Sequence, residues 1–301
     1  MTEKISSRNA AVINILEQVN QLASSDFSII IQGEAGTGKT TLAHIIHDLG
    51  KGPGKPFITV DINAIPESLI ADELFGYEKG VFEMACGGTI LIAGIQKLSA
   101  YVQTKVLRVI EEKKVYHLGG TRAVETNARI IATTTTDLKL AVCEKNFRED
   151  LYLCLSEHVI TIPPLRERPE DIQHLANIFF AGACSELGRN ISEIADSTMD
   201  LLRKNPWKGN VRELKNVMRR AVILCQEDVL KPEHIEFISS GPEVPFFMPL
   251  EEAPLLSLKD MEKMAIKRAL DFTKGKRTKA AALLEIDYKT LVRKIRDYNI
   301  Q

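Results

Sequence analysis

The stretch GEAGTGKT, Gly33 to Thr40, has residue types and spacing that do chemistry. It follows the β-rich run SIII and leads straight into the helical pattern TLAHIIHDL, the strand–loop–helix setting of a phosphate-binding loop. Gly33, Gly36 and Gly38 let backbone N–H groups turn inward around phosphate oxygens with no Cβ in the way. A helix starting near Lys39 adds the positive end of its dipole. Lys39 reaches the outer phosphates, and the Thr40 hydroxyl is a ligand for Mg2+. Nucleotide binding is the expectation; a vestigial loop that keeps its shape but binds weakly is the alternative.

Strand-like runs must position that loop. FSIIIQG, PFITVD, GGTILIAGI and ARIIATTTT are rich in β-branched residues and mostly too apolar for a sheet with one wet face. They alternate with helical patterns, which predicts a parallel sheet with helices on both faces. From Pro169 to Ile238 the pattern turns helical, as in NVRELKNVMRRAVILC, and reads as a small helical domain. SSGPEVPFFMPLEEAP, Ser239 to Pro254, has neither periodicity and reads as a linker.

Composition narrows the class. The 301 residues are 45% hydrophobic and 26% charged, ordinary for a globular protein. No apolar run reaches membrane-spanning length, and the N-terminus lacks the build of a signal peptide. The five cysteines (Cys86, Cys143, Cys154, Cys184, Cys225) show no metal-ligand spacing and read as reduced thiols in a cytoplasmic protein. His44 and His47 share a helix face, but a metal site there is not supported. The net charge of −1 hides an asymmetry. Ser257 to Gln301 carries twelve Lys and Arg against six Asp and Glu, so the tail is +6 and the rest −7. A basic module on an acidic body suits a polyanion partner, although exposed lysines alone would give the same sum.

The tail reads as three helices. In SLKDMEKMAIKRALDF, Leu258, Met261, Ala265, Ala269 and Phe272 recur at helical spacing. Gly275 ends that helix, and TKAAALLEI is a second, short one. DYKTLVRKIRDYNI is a third, with Leu291, Ile295 and Tyr298 inward and Lys289, Thr290, Arg293, Lys294 and Arg296 outward. Cations for phosphates, with Arg and Thr available to base edges, make a recognition-helix profile. Arg277 and Thr278, at the start of the second helix, complete the expected DNA-binding set. A three-helix oligomerisation module with a solvated basic face is the alternative.

The order of GEAGTGKT, ADELFGYEKG, GGTILIAGI, FREDLYLCL, PPLRERPEDI and WKGNVREL resembles the AAA+ domain of bacterial enhancer-binding activators of sigma-54 RNA polymerase. The tail looks like that family's Fis-type helix-turn-helix. The resemblance runs from about Ser7 to Ile300, and the expectation is an architecture like the family's short members, without an N-terminal receiver or ligand-sensing domain; a piece of a longer chain is the alternative. It implies that Gly33, Glu34, Ala35, Gly36, Thr37, Gly38, Lys39, Thr40 and Thr41 hold ATP. It also implies that Arg148 is an arginine finger reaching a neighbour's γ-phosphate, and that Arg212 senses the nucleotide from the lid. A surface salt bridge is the alternative for either arginine.

Departures from the family pattern are as informative. The family ends the third run in Asp-Glu, for metal and water, where this chain has Ala93 and Gly94. Losing a positioned general base costs about 10²–10⁴-fold in rate. The first-sensor asparagine is Thr135 and the second finger is Cys154. Glu78–Gly80 runs straight into VFEMACGG, without the loop that grips the sigma factor. Asp61, at the position of an asparagine that restrains the catalytic Glu, is a candidate rescue acid beside Ala93; a strand-end turn acid is the alternative. The tail has Glu285 and Asn299 where the family has Gly.

The expected architecture is an α/β AAA+ P-loop core over 1–168, a helical lid over 169–238, a linker over 239–255 and a helix-turn-helix domain over 256–301. The expected function is a transcription regulator that binds specific double-stranded DNA and self-associates as a dimer or ring. ATP with Mg2+ acts in it as an assembly ligand, with hydrolysis weak or absent. Contact with RNA polymerase or sigma-54 is doubtful, and no membrane is involved. An active ATPase remodelling sigma-54 polymerase and an initiator-like DNA-binding ATPase are the alternatives.

Overall fold

The computed structural model describes residues 6–52, 54–77, 80–120, 123–237, 266, 269, 273, 277–284 and 286–298. They divide into two compact units, Met1–Phe237 and Ile238–Gln301. The first-unit elements, in chain order, begin with α1 (Ala10–Leu22), β1 (Ile29–Gln32), α2 (Lys39–Gly50), β2 (Phe57–Asp61), α3 (Glu67–Phe75), α4 (Val81–Met84) and β3 (Thr89–Ala93). Next come α5 (Ala100–Glu112), β4 (Lys114–Tyr116), β5 (Ala123–Glu125), β6 (Arg129–Thr134), α6 (Leu138–Cys143), α7 (Glu149–Leu155) and β7 (His158–Thr161). The last are α8 (Pro169–Leu187), β8 (Glu193–Ile194), α9 (Asp196–Lys204), α10 (Asn210–Leu224) and β9 (Val229–Leu230).

Five strands form one parallel sheet in the order β2-β3-β6-β1-β7. Alternate residues serve opposite faces, which explains the near-continuous apolar runs. Ile30, Ile90, Ile92, Ile130 and Ala132 pack on the face that also carries Leu74, Phe75, Val102 and Val106 of α3 and α5. Ile29, Ile31, Leu91, Ile131 and Ile160 pack on the other, against Val19 of α1 and Leu42, Ala43 and Ile46 of α2. Burying one such isoleucine contributes about 1.5–3 kcal/mol. Arg129, buried at the start of β6, donates to the carbonyls of Leu22 (2.9 Å), Ala23 (2.9 Å) and Phe27 (3.2 Å) and so caps the C-terminal end of α1. His44 and His47 both pack on the Phe57 ring, and His47 Nδ1 bonds Thr89 Oγ1 at 2.9 Å.

Between Pro169 and Phe237 the described residues are mainly helical, with the two-residue pair β8–β9 in extended form. Leu214, Val217, Met218 and Ala221 form the buried stripe of α10, at the 3-4-7 spacing of a helix face. They close with Leu175 and Ala176 of α8 and Leu202 of α9 around Trp207. Trp207 is fully buried, donates Nε1–H to the Leu202 carbonyl at 2.9 Å, and meets the Phe237 ring edge-on at 5.8 Å.

In the second unit, helices Arg277–Leu283 and Tyr288–Asp297 pack around Ala280, Ala281 and Leu291, joined by Ile266 and Ala269. Most of the first predicted tail helix, Gly275, Glu285, Asn299 and the linker lie outside the described residues. Among the described residues no helix is long and apolar enough to cross a membrane.

Candidate functional site

β1 delivers its chain into a turn that only glycine can make. Gly36 has φ +78°, and a Cβ there would fall on the Gly209 carbonyl oxygen. Gly38, left-handed at φ +105°, caps the start of α2, so the free N–H groups of that helix face the loop. Lys39 Nζ rests on the carbonyls of Gly33 (2.6 Å) and Glu34 (2.8 Å). Burial holds this ammonium below its ordinary pKa, and the positive charge of Arg212 lowers it further. Thr40 is exposed on the first turn of α2, and Thr41 lines the adjoining cavity.

The helical part grips the loop directly. Arg166 forks onto Glu34, with Nη1–Oε2 at 2.8 Å and Nη2–Oε1 at 2.6 Å. Asn210, fully buried with φ +53°, donates Nδ2–H to Glu34 Oε2 (3.1 Å) and to the Ala35 carbonyl (3.0 Å). Its Oδ1 accepts from the Leu165 N–H at 2.7 Å. The Arg212 N–H donates to the Gly36 carbonyl at 3.3 Å, and Arg168 Nη2 donates to the Thr37 carbonyl at 3.2 Å. The Arg166 bonds first, and the Asn210 bond second, hold the Glu34 carboxyl at about 2, well below the usual range.

Beside this clasp lies a cavity of about 430 Å³, lined by Val12, Leu16, Thr41, Leu42, Phe179 and Val211 and ending at Gly38. An apolar slot opening on a phosphate loop suits a flat base with a charged tail.

The far wall is polar but short of acid. The Gly33 N–H donates to the Thr134 carbonyl (3.2 Å) and the Gly94 N–H to the Thr133 carbonyl (2.9 Å), which brings the ends of β1, β6 and β3 together. Ala93 and Gly94 stand there without a carboxylate. Asp61 is in register with Ala93, and its Oδ1 accepts from Asn63 N–H (3.0 Å) and Nδ2–H (2.8 Å). Gly94 has φ +80°, and a Cβ on it would lie 2.5 Å from Asn63 Nδ2. Thr135 Oγ1 accepts from Gln96 Nε2 at 3.1 Å.

Arg148 sits at the N-cap of α7. Its guanidinium forks onto Asp150 at 3.0 and 2.6 Å, reaches Thr104 at 3.4 Å, and is pushed up in pKa by that carboxylate. None of these partners belongs to the phosphate loop. Burial and then the charges of Glu111, Asp150 and Glu157 raise the Cys154 thiol, so this position supplies no charge toward an anion.

In the second unit, Asp287 caps helix Tyr288–Asp297 by accepting from the Lys289 N–H at 2.9 Å. Leu291 is buried, and Ile295 and Tyr298 pack on the core beside it. Lys289, Arg293 and Arg296 are exposed, while Thr290 and Lys294 are half-buried, Lys294 Nζ lying 5.9 Å from the Tyr298 ring centroid. Arg277 is exposed, and the side chain of Thr278 lies outside the described residues.

Reasoning from sequence found the loop and Arg212 but missed Arg166, Arg168 and Asn210 as loop partners. For Arg166 and Arg168 the signal was their close pairing in LRERPED.

Known proteins are similar to this chain in sequence and in fold. A family model described as the sigma-54 interaction domain matches residues 5–161, one described as the AAA+ ATPase lid domain matches 166–240, and the Fis-family bacterial regulatory protein model matches 257–298. The chain is 37% identical to the regulatory protein AtoC of Escherichia coli K12, over 98% of this chain and 68% of that one. It is 35% identical to the DNA-binding transcriptional regulator NtrC of Azospirillum brasilense, over 98% and 69%. The crystal structure of NtrX from Brucella abortus in complex with ATP superposes with a TM-score of 0.76 at 26% identity, over 99% of this chain and 70% of that one.

Proposed function

The chain belongs to the family of sigma-54-dependent enhancer-binding transcriptional regulators, and on that premise we propose that it binds ATP as an assembly ligand, hydrolyses it weakly or not at all, and binds specific DNA through its C-terminal helices. The observation that carries this reading is the pair Lys39 and Arg212 beside strand ends that lack the Asp-Glu pair: burial and then the charge of Arg212 depress the Lys39 ammonium, and Ala93 and Gly94 offer no base. Half-buried Lys39 feels the positive charge of exposed Arg212, and a polyanion relieves such repulsion. NtrX, similar over nearly the whole chain, was crystallised with ATP and with ADP.

The residues present fit a Mg2+–triphosphate. Exposed Thr40 follows Lys39 on the first turn of α2, where its hydroxyl would hold the metal. Bound there, the ion would neutralise phosphate charge. The Glu34–Ala35–Gly36–Thr37 backbone would hold the phosphates, fixed from the lid by Asn210, Arg212 and Arg168. Arg148 would turn from Asp150 to a neighbouring copy's nucleotide, making assembly depend on ATP by mass action. Asp61 is spent on the Asn63 turn, which favours its structural reading over that of a rescue acid.

In the tail, Arg277, Thr278, Lys289, Thr290, Arg293, Lys294 and Arg296 would meet the duplex, the second helix of the pair in the major groove. ATP affinity and ATP turnover measured on one sample test the proposal. Saturable binding with near-background hydrolysis is expected; turnover on the order of one per second or faster would establish a motor instead.

A further inference from the structure

Among the described residues, Arg168 is a cation that is 4% exposed and incompletely satisfied. It donates to the Thr37 carbonyl at 3.2 Å, yet its Nε is buried with no partner. Its natural counter-ion, fully buried Asp171, stands 3.7 Å away, beyond hydrogen-bond reach. The reason is competition. Asp171 Oδ2 accepts from Ser7 Oγ at 2.6 Å, and Oδ1 accepts from the Arg8 N–H at 2.6 Å and the Asn9 N–H at 3.3 Å. Neighbouring bonds hold the same segment on α8: Ser6 Oγ to His174 Nε2 at 2.6 Å, and Asn9 Nδ2 to Glu170 Oε2 at 3.3 Å. Ser6 also forms part of the wall of the nucleotide-sized cavity.

A buried guanidinium and a buried carboxylate three residues apart would form a close two-bond pair if the carboxylate were free. Here the segment takes both carboxylate oxygens and leaves the guanidinium to the phosphate loop. We infer that residues 6–9 are a strap whose hold on Asp171 keeps Arg168 on the Thr37 carbonyl, so that strap closure and nucleotide binding at the phosphate loop favour each other. Release of the strap frees Asp171, Arg168 swings onto it, and the Thr37 carbonyl loses its lid contact. The inference rests on the nucleotide reading above, and the coupling is reciprocal, as linkage requires.

The test is a double-mutant cycle on the full chain, with ATP affinity as the readout. Ser7→Ala should weaken ATP binding about 10-fold, as expected for losing a bond to a charged group. The same substitution should be silent in an Arg168→Gln background, because the relay is already cut. Hydrogen exchange on the unsubstituted chain gives a second reading that needs no variant: saturating ATP should slow exchange of the Arg8 and Asn9 amides. Equal Ser7→Ala effects in both backgrounds, or unchanged exchange at those amides, overturn the coupling while leaving ATP binding intact. Absence of saturable ATP binding by the unsubstituted chain overturns the nucleotide reading and the strap together.

Discussion

The Asn63 side chain occupies the space into which any side chain at residue 94 would grow: its Nδ2 lies 2.5 Å from the position of a Cβ on Gly94. Asp61 Oδ1 holds it there by accepting from Nδ2–H, and accepts from the Asn63 backbone N–H as well. The absence of a carboxylate is thus built into the packing around Gly94 as well as into its identity. Replacing Ala93 and Gly94 by Asp and Glu alone is predicted to leave ATP turnover at background. It should also lower stability, by about 1 kcal/mol from the left-handed backbone and more from the collision. Adding Asn63→Ala opens the space, and turnover should rise only in that triple variant. Steady-state phosphate release and thermal melts on the three proteins check this; activity in the double variant would refute it.

The clasp between Glu34 and the lid carries a pH signature. Its carboxyl lies at about 2 in the folded protein, against an ordinary value of 4.5. A depressed folded pKa contributes stability that is present above the unfolded value and is lost as pH falls from about 4.5 toward 2. Since the Glu34 side chain is 40% exposed, solvent screening reduces the contribution to about 1 kcal/mol. Urea unfolding at pH 7 and pH 3 should therefore show a smaller acid loss in Glu34→Gln than in the unsubstituted chain. Identical pH dependence would mean that the Arg166 fork contributes nothing.

The cations Lys39 and Arg212 should separate in nucleotide titrations. Lys39→Ala removes a charged donor to phosphate and is predicted to weaken ATP binding about 10- to 100-fold. Arg212→Ala should weaken it less, because its loss also relieves the repulsion that lowers the Lys39 pKa. Its effect should shrink as salt is raised. Calorimetry at two ionic strengths decides. An Arg212→Ala loss larger than that of Lys39→Ala would place the main phosphate contact on the lid.

Trp207 gives the lid its own probe. Truncation to Ala empties a fully buried site and strands the Leu202 carbonyl, with an expected loss of about 3–5 kcal/mol. Gly209 and Asn210, which touch the phosphate loop, follow it directly, so ATP affinity should fall together with stability. Trp207→Phe keeps most of the volume and should retain ATP binding at a smaller stability cost. Melting curves with and without ATP measure both quantities.

How far the sequence disclosed this protein follows from the reach of each signal. The runs that became β1, β3 and β6 were legible because strands buried on both faces are continuously apolar, and the edge strand β2 was legible from the β-branched residues of PFITVD. β7 was missed: its four residues, His158–Thr161, form a half-wet edge, and Val159 stays exposed. The phosphate loop was legible from spacing alone, since glycine geometry is local. The partners Arg166, Arg168 and Asn210 were not, because a side chain more than a hundred residues from the loop leaves no periodicity behind. In the tail the inward set of Leu291, Ile295 and Tyr298 was readable from helical period. Ile266, buried beside Ala269, escaped the chosen set.

The C-terminal helix should reveal its partner through salt. Lys289, Arg293 and Arg296 are exposed on helix Tyr288–Asp297, while Leu291 anchors the opposite side in the core. Lys289 lies at the N-terminal end, its N–H held by the Asp287 cap, where the proposed docking would bring it to phosphate before any base edge. Lys289→Ala is therefore predicted to weaken binding to every duplex alike and to reduce the salt slope by about one. Arg293, one turn further on, is expected to read a base, so Arg293→Ala should cost about 1–3 kcal/mol on the preferred site and little on random duplex. Asp287→Ala separates folding from recognition. It should lower helix stability by about 1 kcal/mol and affect both duplexes in proportion. Titrations of each variant with a selected site and a random duplex, at two salt concentrations, measure all three. Equal losses on both duplexes for Arg293→Ala would leave this helix a phosphate-binding surface without base readout.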